Sequence, residues 1–105
     1  MTTQQSIEIA VKRLAEKFAP EQIILFGSQA RGTADSRSDA DLLVIMPVHG
    51  NRREMMVAMD RTLRGIEIAR DIVILTAEEF ERDKDIPGTV ARPAWLEGRI
   101  LYVRH

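Results

Sequence analysis

Residues 42–46 read Leu-Leu-Val-Ile-Met, five apolar side chains in succession. A strand with one wet face alternates polar and apolar residues, whereas an unbroken apolar run needs cover on both faces. The chain must therefore fold in layers, with this segment as a central strand. Candidate covers are present. Ile7, Ala10, Val11, Leu14, Ala15 and Phe18 recur at helical spacing over residues 4–18, and Pro20 ends that helix. Asn51 is placed to cap a second helix over about residues 52–65, with Met55, Met56, Met59, Leu63 and Val57 on its apolar side. Thr76-Ala77-Glu78-Glu79 has the form of a capping box and predicts a short helix over 77–84. A further helix over 89–97 is expected to stop at Gly98.

Between these helices lie short runs rich in β-branched residues. Residues 22–26, 41–46 and 70–75 read as strands, and 99–103 as a last edge strand. Strands alternating with helices predict an α/β sandwich on a small sheet. With 105 residues the chain is expected to form a single domain spanning 1–105. The net charge of −1 gives no broad basic field, so no direct nucleic-acid partner is expected. There is no cysteine, which excludes disulfides and thiolate metal sites. No run is long enough for a membrane span, and residues 1–6 have no secretory pattern, so a cytoplasmic protein is expected.

The chemistry concentrates in residues 27–41. Gly27-Ser28 follows the first strand; ten residues later come Asp39-Ala40-Asp41, at the start of the central strand. A strand–Gly-Ser–helix entry offers backbone N–H groups and a hydroxyl to an anion, and Gly27 lets the backbone come close. Residues i and i+2 of a strand share a face, so Asp39 and Asp41 could hold a cation together. Asp71 opens the third strand as Asp41 opens the second, and is the candidate third acid. Clustered carboxylates repel unless neutralised, and an all-oxygen set favours Mg²⁺ or Mn²⁺ over zinc. The plainer readings are that Asp39 and Asp41 cap a turn facing water, that Gly27-Ser28 is a turn without a ligand, and that Asp71 is a strand-end residue paired with Arg70 or another surface cation.

Gly-Ser, ten residues, Asp-x-Asp resembles the signature of the DNA polymerase β-like nucleotidyltransferases. The stretch Phe26 to Gly32 with Ser38 to Val44, and the phrase Glu97 to Tyr102, are similar to the minimal nucleotidyltransferases of prokaryotes. The resemblance implies a polymerase β-like fold, a small mixed sheet flanked by helices. It implies that Gly27 and Ser28 meet the triphosphate of ATP, with Arg31 beside them, and that Asp39, Asp41 and Asp71 hold two Mg²⁺ ions. Members of the group serve as antitoxins to a HEPN-domain ribonuclease toxin and transfer AMP from ATP to its tyrosine. The expected function is accordingly a protein adenylyltransferase antitoxin, hetero-oligomeric with its toxin. Two rivals stand beside it: an antitoxin that masks its toxin without catalysis, and a nucleotidyltransferase for a small hydroxylated acceptor. Asp35 and Arg37, in a polar loop, rank below these candidates. Trp95 and Tyr102 are expected to pack, and residues 78–85 to form a solvated helix face.

Overall fold

Residues 2–31 and 39–105 are described by the structure, a computed structural model. Along the chain come α1 (Thr3–Phe18), β1 (Gln22–Phe26), α2 (Ser28–Arg31), β2 (Ala40–Ile45), α3 (Arg52–Thr62), β3 (Arg70–Leu75), α4 (Ala77–Asp83), α5 (Ala91–Glu97) and β4 (Arg99–Val103). The strands form one sheet in the order β3-β2-β1-β4. β1 runs antiparallel to both β2 and β4, while β2 and β3 are parallel. A parallel pair needs a crossover, and α3 supplies it. The expected small mixed sheet flanked by helices is the observed architecture.

The apolar run is central and covered twice. Ile23, Leu25, Leu42, Val44, Ile72 and Ile74 pack with Ile7, Val11 and Leu14 of α1 and with Met59 and Leu63. On the opposite face Ile24, Leu43 and Ile45 pack with Phe80 of α4 and with Ala91 and Ala94 of α5. Leu43 and Val44 are neighbours with side chains on opposite faces, and both are fully buried. Each such side chain contributes about 1.5–3 kcal/mol by leaving water.

Several boundaries differ from expectation for local reasons. α1 starts one residue early because Thr2 and Gln5 form a reciprocal capping box, a Thr-x-x-Gln signature overlooked in the sequence. α3 ends at Thr62 rather than 65. There Leu63, Arg64 and Ile66 donate to carbonyls three residues back, tightening the chain toward Gly65 at φ 92°. Val57, placed on the apolar side of α3, is 45% exposed. α5 begins at Ala91 rather than 89, because the Thr89 hydroxyl donates to the carbonyl oxygens of Asp83 and Ile86 and stays in the loop. Gly98 does not stop α5 through a left-handed turn, since its φ is −70°. A Cβ there would collide with the Ala94 carbonyl oxygen, and it would also crowd the Ile24 side chain. Trp95 is only half packed: it meets Phe80 in an edge-to-face arrangement with centroids 6.3 Å apart, the Lys84 ammonium lies over its ring at 4.3 Å, and half of its surface is open. Tyr102 packs against the α1 side of the core. Among the described residues no helix is long and apolar enough to cross a membrane.

Candidate active site

Topology brings the three acids to one end of the sheet. β1 ends where β2 begins, with Phe26 opposite Asp41 in the antiparallel register. β3 lies parallel on the other side of β2, and its register sets Asp71 directly beside Asp41. Neighbouring strands are about 4.8 Å apart, and residues in register point to the same face. Asp41 shares its parity with Leu43 and Ile45, and Asp71 with Val73 and Leu75, so both acids lie on the face that α4 and α5 cover further along. Asp39 precedes Asp41 by two residues and is exposed.

Gly27 is required here for two reasons. Its φ is 75°, a left-handed conformation that side chains disfavour. A Cβ at this position would also collide with Oδ2 of Asp41. The turn and the Asp41 carboxylate are thus in direct apposition. The Gly27 carbonyl oxygen accepts from the N–H groups of Ala30 and Arg31, each at 3.2 Å, and this folds Ser28–Arg31 directly into α2. Arg31 reaches across to α5, where its Nη1 donates to Oε2 of Glu97 at 3.0 Å. Both partners are nearly half exposed, so the pair contributes little to stability and is easily exchanged. From the sequence Arg31 is free to meet a phosphate, a partner or solvent; its link to Glu97 joins residues far apart in the chain.

The electrostatics tie the group together. Burial pushes the Asp41 carboxyl above its ordinary range; the negative charges of Asp71 and then Asp39 push it further, and Arg31 opposes them. Among the described residues no ion pair neutralises Asp39, Asp41 or Asp71. Arg70 is not the cation for Asp71, because it pairs with Asp60 at 3.0 Å and donates to the carbonyls of Ile66 and Ile68. As the side chains are placed, no three acidic or imidazole groups among the described residues close around a single point. The donor set nevertheless fits a hard divalent cation. It is all oxygen, mutually repelling and without an ion-paired cation among the described residues, and the Asp41–Asp71 pair lies in register on adjacent strands. Asp35 and Arg37 lie outside the described residues. A groove of about 560 Å³ lies at the other end of the strands, lined by Ile24, Phe80, Trp95 and Ile100, and does not include the acids.

The mixed sheet, the glycine turn pressed on an aspartate and the in-register acids define an α/β fold built around a strand-edge carboxylate site. A family model described as "Nucleotidyltransferase domain" matches residues 7–102. The chain belongs to this nucleotidyltransferase family. A search of curated proteins finds no match. Among solved structures, a nucleotidyltransferase of Sulfolobus solfataricus is similar at TM-score 0.66 and 24% identity, covering 95% of this chain and 79% of that one. A toxin–antitoxin with AMP-PNP is similar at TM-score 0.59 and 20% identity, covering 93% and 73%. A toxin–antitoxin MntA–HpeT mutant, in which two aspartates two positions apart are glutamate, is similar at TM-score 0.61 and 20% identity with the same coverage.

Proposed function

We propose that this nucleotidyltransferase is a protein adenylyltransferase acting as the antitoxin of a HEPN-domain ribonuclease toxin. The observation that carries the reading is the register of Asp41 with Asp71 beside the Gly27 turn. The toxin–antitoxin relatives, one with AMP-PNP and one altered at a pair of aspartates, support it. Asp39, Asp41 and Asp71 would hold Mg²⁺, with Mn²⁺ as a substitute. The ions, when bound, would neutralise triphosphate charge and lower the pKa of the acceptor hydroxyl. Gly27 and Ser28 would approach the triphosphate of ATP, and Arg31 would leave Glu97 to meet it. The tyrosine oxygen of the toxin attacks the α-phosphorus, and a P–O–Tyr bond forms. The bond from the α-phosphorus to the bridging oxygen breaks, and pyrophosphate departs with its electrons. The hydroxyl proton passes to Asp71, an exposed carboxylate, and from there to water. The whole domain, residues 1–105, works in the cytoplasm alongside its toxin.

The test is incubation with α-labelled ATP, magnesium and the toxin encoded beside it. Label should appear on the toxin, with an intact-mass increment of one or more AMP groups. Asp41→Asn should cut transfer by about a thousandfold or more while keeping the fold. An unlabelled toxin in the presence of folded protein overturns the reading. Neutralisation of the toxin by Asp41→Asn would instead favour masking without catalysis.

A further inference from the structure

A guanidinium stands beside the acid cluster and pairs elsewhere. The Arg31 N–H donates to the Gly27 carbonyl oxygen, so its backbone sits one helical turn from the bend that presses on Asp41. Its positive charge acts on the Asp41 carboxyl. Yet Nη1 of Arg31 donates to Glu97 at 3.0 Å, and among the described residues no ion pair reaches Asp39, Asp41 or Asp71. Glu97 closes α5, which packs on the sheet face where Asp41 and Asp71 lie. Arg99, two residues on, is opposite Leu25, so α5 ends at the edge of the sheet where β1 runs into Gly27. Across that edge come Asp71 on β3, Asp41 on β2, the Gly27 turn after β1, and Glu97 ahead of β4. Arg31, carried by the turn, thus has Asp41 on one side and Glu97 on the other.

Stability does not account for the choice of Glu97. Both side chains are nearly half exposed, and such pairs contribute little. A carboxylate in the last turn of a helix also meets the negative end of the macrodipole, and the last turn of α5 has no basic residue to offset it. Glu97 further adds negative charge to an edge that Asp39, Asp41 and Asp71 already make negative. What it changes is the set of partners open to Arg31. Without Glu97, the carboxylates facing this guanidinium are those of the cluster. An arginine paired with Asp41 would occupy the oxygens that a cation needs. We propose that Glu97 is a positioning residue that holds Arg31 off the Asp41 carboxylate and so keeps the acid cluster open to a divalent cation. The inference rests on the transferase reading and adds to it the residue that guards its metal ligands. The pair is exposed enough to exchange, so a triphosphate arriving with its metal takes Arg31 from Glu97 and leaves the acids undisturbed.

The experiment titrates Mn²⁺ alone, with the free ion read by electron paramagnetic resonance. The proteins are the wild type, Glu97→Gln, Arg31→Gln, the double variant Arg31→Gln/Glu97→Gln, and Glu97→Asp. Glu97→Gln should weaken Mn²⁺ binding by about tenfold when Arg31 is present, and by less than about threefold in the Arg31→Gln background. The smaller loss is the through-space effect of removing one negative charge. Glu97→Asp keeps the carboxylate and should bind within about threefold of the wild type. Equal losses in the two backgrounds overturn the proposal, because Glu97 would then act as a direct ligand, by its charge alone, or by supporting the fold. It is also overturned if Glu97→Gln binds as tightly as the wild type, or if Glu97→Asp loses as much as Glu97→Gln. The transferase reading has its own marker. A wild type that binds no Mn²⁺ removes that reading and the proposal with it, whereas a wild type that binds Mn²⁺ with equal losses in both backgrounds removes only the role of Glu97.

Discussion

Asp41 occupies a position that is costly to the folded chain. Its carboxyl is raised above the usual 3.8 by burial first and then by Asp71 and Asp39. The folded protein thus holds this proton more tightly than the unfolded chain does. Its contribution to stability is fully present below about pH 3.8 and is lost as pH rises through the raised value. At neutral pH the metal-free protein should therefore gain stability from Asp41→Asn. The gain in melting temperature should shrink as pH falls toward 4, measured by thermal scans in chelator-treated buffer; a lower melting temperature for the variant at neutral pH would contradict this. The residue types needed for the site were legible in the sequence, because Gly-Ser and Asp-x-Asp have local spacing. The reasons behind them were less so. The collision that a Cβ at Gly27 would have with Asp41, and the hold of Glu97 on Arg31, join residues far apart in sequence, and no local pattern encodes them.

Among the elements, α4 is the one whose start was written most clearly. Thr76 accepts from the Glu79 N–H, and Glu79 accepts from the Thr76 N–H at 2.9 Å and from Arg52 at 2.8 Å. The Thr76 N–H and then Arg52 hold the Glu79 carboxyl below its ordinary 4.5. That contribution is present above about pH 4.5 and is lost as pH falls through the lowered value. Glu79→Gln should therefore destabilise the protein at neutral pH and flatten its acid denaturation, as read by urea melts across the acid range. Thr76→Ala, which removes the cap itself, should cost about 1 kcal/mol at neutral pH. Capping residues carry such information locally, and so the start of α4 was placed correctly. The end of α3 and the start of α5 were not, because three-residue turns near Gly65 and the Thr89 hydroxyl bonds compete with the helix there. The unbroken apolar run likewise announced β2 as central, whereas half-exposed Trp95 shows that an aromatic near a helix end need not be core.

At the scale of the molecule, the sheet order β3-β2-β1-β4 was not readable in the chain, although its consequence at Asp71 was anticipated from the strand starts. Strand pairing is chosen by which faces bury best together, a property of the whole and not of any segment. If the acids form one cation-dependent nucleotide site, AMP-PNP with magnesium should stabilise the protein by about 2.7 kcal/mol at a hundredfold excess over its dissociation constant. Asp41→Asn should abolish that increment, and AMP-PNP with chelator should give none; equal stabilisation of both proteins would place the nucleotide elsewhere. The parallel pairing of β2 and β3 has one more effect. Asp41 and Asp71 are separated by thirty positions of chain and meet only when β3 docks beside β2, a long-range closure. A ribosome that has not yet released β3 therefore exposes a polypeptide lacking half of its carboxylate pair.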